Sequence, residues 1–186
     1  MVEFRSFQRM NEAIAPDDKD WTWVLDAPCP ECGHDSSELP LGEVPELLGQ
    51  ATASLAAALD RADVAVRPSS DRWSDLEYVC HVRDVYRRFD GRIALMLAED
   101  DPLFENWDQD ATAVEDDYAS QDPAVVRDEL ASASAAYLAT VAALDDEQLT
   151  RTGRRSDGAS FTVESLIRYM AHDPVHHVWD LDGGDL

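Results

Sequence analysis

The sequence predicts an all-α fold, a four-helix bundle with a long crossover between its second and third helices and an irregular N-terminal extension. Three observations predict it. Four segments repeat apolar residues every three or four positions. Helix-start signals open several of them, and no segment alternates apolar and polar residues as a half-buried strand would. Four amphipathic helices of this length pack as an antiparallel bundle. A chain of 186 residues, 45% apolar and 29% charged, can build such a core without staples.

Residues 1–42 read as the extension, with Pro16, Pro28, Pro30, Pro40, Gly33 and Gly42 and no sustained period; residues 43–186 read as the bundle. The first helix is expected from about Pro45 to Ala62. Proline suits its first turn, and Leu47, Leu48, Ala51, Leu55, Ala58 and Leu59 form its stripe. The second opens at Ser74, where Ser74-x-x-Glu77 reads as a capping box. It runs through Val82, Val85, Phe89, Ile93 and Met96 and stops before Pro102.

Asp122-Pro123, a cap followed by a first-turn proline, starts the third helix. Its stripe is Val126, Leu130, Ala133, Tyr137, Val141 and Leu144. The fourth follows a Thr162 cap, with Val163, Leu166, Ile167 and Met170. The connection over about residues 100–121 is long for a bundle turn. It carries Phe104, Trp107 and Tyr118 among acidic residues, which reads either as a lid or pocket wall or as a plain cover over the core.

Thirty-nine acidic residues against 15 basic ones give a formal charge of -24, and Lys19 is the sole lysine. Such a surface repels phosphate backbones and anionic lipid, so neither nucleic acid nor membrane is an expected partner. No apolar run approaches the roughly 20 residues of a membrane span, and MVEFRSFQRMNEA lacks a signal-peptide core. Three cysteines cannot close a disulfide framework. The expected setting is a reducing cytoplasm.

Four of the five histidines fall in two helical segments, His81 in the second and His172, His176 and His177 in the fourth. His172 and His176 are four apart, so both imidazoles can reach one divalent ion. His81 shares a face with Val85 and Phe89 and points inward, where a third imidazole would complete a site with open positions. Histidines merely satisfied in the core, or a solvated histidine stripe, stand as the alternatives. On the helical wheel, Ser165, Tyr169, His172, His176 and Trp179 lie nearly opposite Leu166, Ile167 and Met170. Either the fourth helix is covered on both sides, or Pro174 bends it and re-aims the pair.

The run Trp73-Ser74-Asp75-Leu76-Glu77-Tyr78-Val79-Cys80-His81 resembles the second-helix motif of the DinB-like superfamily. Ala171-His172-Asp173-Pro174-Val175-His176-His177 resembles its fourth-helix motif. The resemblance spans roughly residues 43–181. It implies a bundle of DinB-like type and a divalent metal, zinc or nickel, held by His81, His172 and His176, with His177 outside the ligand set. The related mycothiol-dependent maleylpyruvate isomerases carry a glutamate where His172 stands, a departure from that isomerase pattern.

Family chemistry implies a thiol-dependent S-transferase or isomerase using a low-molecular-weight thiol such as mycothiol, bacillithiol or glutathione. The metal would hold as thiolate a thiol whose free pKa is about 8.5. The partners implied are a small electrophile and the thiol, with homodimerisation a family habit. Trp107, Tyr169 and Trp179 are expected as pocket walls, and Arg83 is one candidate for binding a carboxylate. The competing reading is a non-catalytic metal-binding bundle with a structural or stress-related role.

Cys29-Pro30-Glu31-Cys32-Gly33-His34 resembles one zinc knuckle, with backbone amides facing two thiolates. A second such turn is absent from the sequence. A zinc site completed by His34 or Cys80, a redox dithiol, and a tight turn with reduced cysteines all remain open. Cys80, next to His81 on a helix, diverges from it by about 100° and reads as a small core residue.

Overall fold

The computed structural model of the chain describes residues 19–182. Residues 1–18 of the predicted extension, and the last four residues, lie outside the described range. Four long helices dominate: α1 (Val44–Ala58), α2 (Asp75–Ala98), α4 (Pro123–Ala142) and α6 (Val163–Leu181). Two short ones, α3 (Gln109–Glu115) and α5 (Asp146–Leu149), sit in the connections.

The start signals act as the sequence predicts. Ser74 Oγ accepts from the Glu77 N–H while the Glu77 carboxylate accepts from the Ser74 N–H, the reciprocal bonding of a capping box. Asp122 accepts from the amides of Ala124 and Val125, and Thr162 closes a box with Ser165. Helix α1 ends at Ala58, earlier than expected, because Leu59 to Arg61 turn back on the carbonyls of Ala56 to Ala58.

Helix α1 packs on α4 and α6, and α2 packs on the same two from the other side; α1 and α2 touch only slightly. Consecutive helices α1 and α2 are therefore diagonal across the bundle, unlike the side-by-side order of a simple up-and-down bundle. Their shared core is fully buried at Leu48, Leu55, Leu76, Tyr86, Ile93, Met96, Leu130, Tyr137, Leu166, Ile167 and Met170.

The sequence gives no sign of the three-stranded sheet at the end of the bundle. Strand β1 (Leu103–Phe104) runs parallel to β2 (Thr152–Arg155), and β2 pairs antiparallel with β3 (Ser160–Thr162). Strands of two to four residues carry too few positions for an alternating pattern to show. Gly158, at φ +103°, makes the turn between β2 and β3.

Gly153 is required for a different reason. A Cβ there would stand 2.7 Å from Met96 Cγ and 3.0 Å from Phe104 Cε1. Gly153→Ala is expected to cost about 1–3 kcal/mol, as other overpacked core sites do, read as a lowered midpoint in urea denaturation with an unchanged slope.

The connection between α2 and α4 is not structureless. It contributes β1, then α3, then a tight 3-10 turn over Tyr118–Ser120. Tyr118 is fully buried and its hydroxyl donates to Asp84 Oδ2 at 2.6 Å. The aromatics that marked this segment in sequence are what tie it down.

The described part of the extension opens with a 3-10 turn over Trp21–Leu25 that packs on α6. Ser37 adds a hydrogen bond from Arg168 to its carbonyl, 3.0 Å. Helix α6 is thus covered on both sides and runs continuously through Pro174. Its Leu166, Ile167 and Met170 face the bundle while the extension covers His172 and His176. Among the described residues no helix is long and apolar enough to cross a membrane.

Candidate metal centres

The histidines gather into two groups on adjacent faces of α6. His81, Asp173 and His177 each place one donor atom within 4.8 Å of the others. Cys29, Cys32, His172 and His176 do the same. The expected trio is therefore divided: His172 and His176 stand together, with ring centroids 5.0 Å apart, but they meet the two thiols. His81 meets Asp173 and His177 instead.

The physical reason is helical phase. Neighbouring residues on a helix diverge by about 100°, so Asp173 and His177 face differently from His172 and His176. Counting three and seven residues on from Met170, a core residue, reaches Asp173 and His177. The stripe of Ser165 and Tyr169 continues to His172 and His176. The neighbours that His81 meets in the fold follow the run of the apolar stripe, which the His-x-x-x-His spacing concealed.

In the first group the capping box holds the start of α2, and His81 follows Glu77 by one turn. His81 is fully buried, with Nε2 3.3 Å from Asp173 Oδ2. Trp107 stacks on its ring at 5.1 Å and 6°, Trp73 lies at 5.2 Å, and His177 stands edge-on at 4.8 Å. His177 Nδ1 is 2.8 Å from Asp180 Oδ2, which leaves its Nε2 turned to Asp173 Oδ1 at 3.7 Å.

That carboxylate behind the imidazole is the outer contact that metal-binding histidines generally have. Burial alone would raise the Asp173 carboxyl, but the imidazoles of His81 and His177 outweigh it and hold it at about 2. His81 Nδ1 and Asp173 Oδ1 are buried with no hydrogen-bond partner among the described residues. Such atoms cost about 1–3 kcal/mol each when left unpaired. Asp173 Oδ1, which faces His177 Nε2, is placed to meet a shared cation, whereas His81 Nδ1 lies on the far side of its ring from Nε2, the nitrogen that faces Asp173. Two imidazoles and one carboxylate fit a divalent ion with positions left open.

In the second group the Cys29 N–H donates to the His34 carbonyl at 2.8 Å and the Gly33 N–H to the Cys29 carbonyl at 2.9 Å. Gly33, at φ +74°, permits this reversal. Cys29 Sγ lies 3.7 Å from His176 Nδ1, and Cys32 Sγ 3.6 Å from His172 Nε2. Burial, then the neighbouring His176, pulls the His172 imidazole down to about 4, so it is neutral as a ligand must be. Burial pushes the Cys32 thiol up to about 11.

His34 and Cys80, two candidate completions of the cysteine turn, stand outside the group that Cys29 and Cys32 form with His172 and His176. The His34 ring is 6.4 Å from that of His172, outside the four-atom group. Cys80 is buried on α2 against Gln121 Oε1 and the Tyr118 carbonyl, a core position.

Asp173 and His177 of the first group and His172 and His176 of the second line one cleft of about 870 Å³, whose walls include Trp73, Tyr78, Phe89, Trp107, Tyr169 and Trp179. The three expected wall residues, Trp107, Tyr169 and Trp179, are all there. Arg83 is not. It is consumed by Asp84 and Glu129 at 2.9 and 2.8 Å, away from the cleft.

The guanidiniums lining the cleft are those of Arg92 and Arg155. Arg155 is paired with Asp157 and bonds the Tyr169 hydroxyl. Arg92 is buried, donates to the Glu105 carbonyl, and makes no ion pair among the described residues. Burial, with Arg88 and Arg155 nearby, lowers its pKa to about 10.

The amino-acid pattern of residues 46–181 matches the DinB superfamily model. The chain belongs to the DinB superfamily. Its fold is similar to that of YfiT from Bacillus subtilis, described as a probable metal-dependent hydrolase with an unusual four-helix bundle topology. That likeness has a TM-score of 0.66 at 21% identity and covers 76% of this chain and 85% of YfiT. No curated protein matches the chain. In this DinB-superfamily chain, then, a helical bundle presents histidine-bearing groups suited to metal, and the cysteine turn precedes the matched region.

Proposed function

We propose that the chain is a metal-dependent enzyme, a thiol-dependent S-transferase or isomerase that joins a low-molecular-weight thiol such as mycothiol to a small electrophile. The observation that carries this reading is the His81–Asp173–His177 group, whose Asp173 and His177 line an aromatic cleft of about 870 Å³, within the range of small-molecule sites. A divalent ion there, zinc or nickel, would supply the Lewis acidity that keeps a thiol deprotonated at neutral pH.

The chain's own residues supply the rest. Asp180 fixes the tautomer of His177, and Trp107 and Trp73 clamp the plane of His81. Trp107 is itself held by a hydrogen bond from its Nε1 to Thr112 and by Arg88 over its face. These rings shield His81 from water. Arg92, the buried guanidinium with no carboxylate partner, supports binding of a carboxylate on the thiol or the electrophile. In an addition, sulfur bonds one carbon of an activated double bond and the thiol's proton ends on the other.

The test is metal removal and return. The metal-loaded protein should conjugate a thiol, screened across mycothiol, bacillithiol and glutathione, to activated alkenes bearing a carboxylate. A chelator should abolish the reaction, and zinc or nickel should restore it. Turnover undiminished in the metal-free protein, or none with any pair in the loaded one, would overturn the reading.

A further inference from the structure

We infer that Cys29, Cys32, His172 and His176 form a second, closed, four-ligand zinc site that clasps the N-terminal segment to helix α6. This site is separate from the His81 group. Its ligands come from stretches about 140 residues apart in sequence, so a cation there would act as a cross-link between the extension and the bundle.

The distances carry the inference. Tetrahedral zinc with Zn–S of about 2.3 Å and Zn–N of about 2.0 Å separates its ligand atoms by about 3.3–3.8 Å along the edges. The two measured sulfur–nitrogen edges, 3.7 and 3.6 Å, fall in that interval, and all four atoms lie within 4.8 Å of one another. A thiol can also hydrogen-bond an imidazole at that range, so the convergence of all four donor atoms, and not either pair alone, marks them as ligands of one ion.

The donor set points the same way. Two thiolates and two imidazoles make a full coordination shell, the composition of structural zinc sites, with no position left for substrate. His176 presents Nδ1 to Cys29 while its Nε2 stands 3.5 Å from Glu31, the outer carboxylate that sets the ring's orientation. Trp21 covers both rings, at 5.5 and 5.2 Å, and Cys29 is 1% exposed, while Cys32 stands half-buried at the edge of the group.

The clasp has a consequence for the cleft. Trp21 and Glu31 line it together with His177 and Trp107. Both belong to the extension, and the bound ion would fix them against α6. The structural role that the sequence left open thus falls to this group, and the open chemistry to the other.

The test uses the full chain loaded with cobalt(II) in place of zinc. The wild-type protein should show an intense thiolate-to-cobalt charge-transfer band in the near ultraviolet and the strong visible absorption of a tetrahedral ion. The Cys29→Ser/Cys32→Ser variant should lose both and bind one fewer metal ion per chain, whereas His177→Ala should keep the charge-transfer band.

Absence of that band from the cobalt-loaded wild type would overturn the inference without recourse to any variant. An unchanged metal count in the double cysteine variant would do the same. So would a Cys29–Cys32 disulfide recovered from protein kept under reductant. Failure of the thiol-conjugation reading would leave all of these measurements intact.

Discussion

Replacing His177 by alanine is expected to reduce thiol conjugation at least about 100-fold and to remove a metal ion that has no sulfur ligand. Loss of an outer contact to a metal ligand already costs about 10–100-fold in affinity or activity, and His177 stands one layer further in. Its Nδ1 is engaged by Asp180 and its Nε2 faces the Asp173–His81 pair, so alanine deletes a donor and strands Asp180. The measurement is metal content beside kcat/KM for the same thiol–electrophile pair. His81→Ala should match it, because both imidazoles belong to the group proposed to hold one ion. A His177→Ala protein with full metal content and full turnover would show that the catalytic group had been misassigned.

The second large effect is on stability. Glu77 is 2% exposed and accepts from the Ser74 N–H at 2.9 Å and the Ser74 hydroxyl at 2.8 Å. Arg67 adds a forked contact through Nε and its terminal nitrogen. Glu77→Ala would remove the carboxylate onto which that guanidinium, itself 16% exposed, forks, and would undo the cap of α2. Breaking a buried pair from one side costs about 3–5 kcal/mol, and the lost cap contributes to the upper end of that range. Chemical denaturation should show the fall in midpoint. A loss below about 1 kcal/mol would mean that the pair is as weak as a surface ion pair. Because His81 lies one turn beyond this cap, Glu77→Gln is the milder probe, keeping the shape while removing the charge.

The four long helices were readable because each buries a stripe repeated over two turns or more and carries its own start signal. Periodicity over that length reports burial directly. The small sheet was unreadable because its strands are two to four residues long. Gly153 is informative only once Met96 and Phe104 are known to press on it. Arg83 shows the same limit, since its neighbour Asp84 was visible in the sequence but Glu129 on α4 was not.

For the metal centres, the sequence by itself determined the ingredients: a histidine one turn into the second helix, a histidine-rich end to the fourth, and a Cys-x-x-Cys turn ahead of the bundle. It also posed the right dilemma, that His172 and His176 lie opposite the core stripe of their own helix. Only the tertiary structure decided which donors stand together. A one-residue step along a helix turns a side chain by about 100°, so the choice between His176 and His177 depends on which neighbour each face meets. The bundle core brought His81 to Asp173 and His177. The folded-back extension brought two thiols to the face that the bundle had left uncovered.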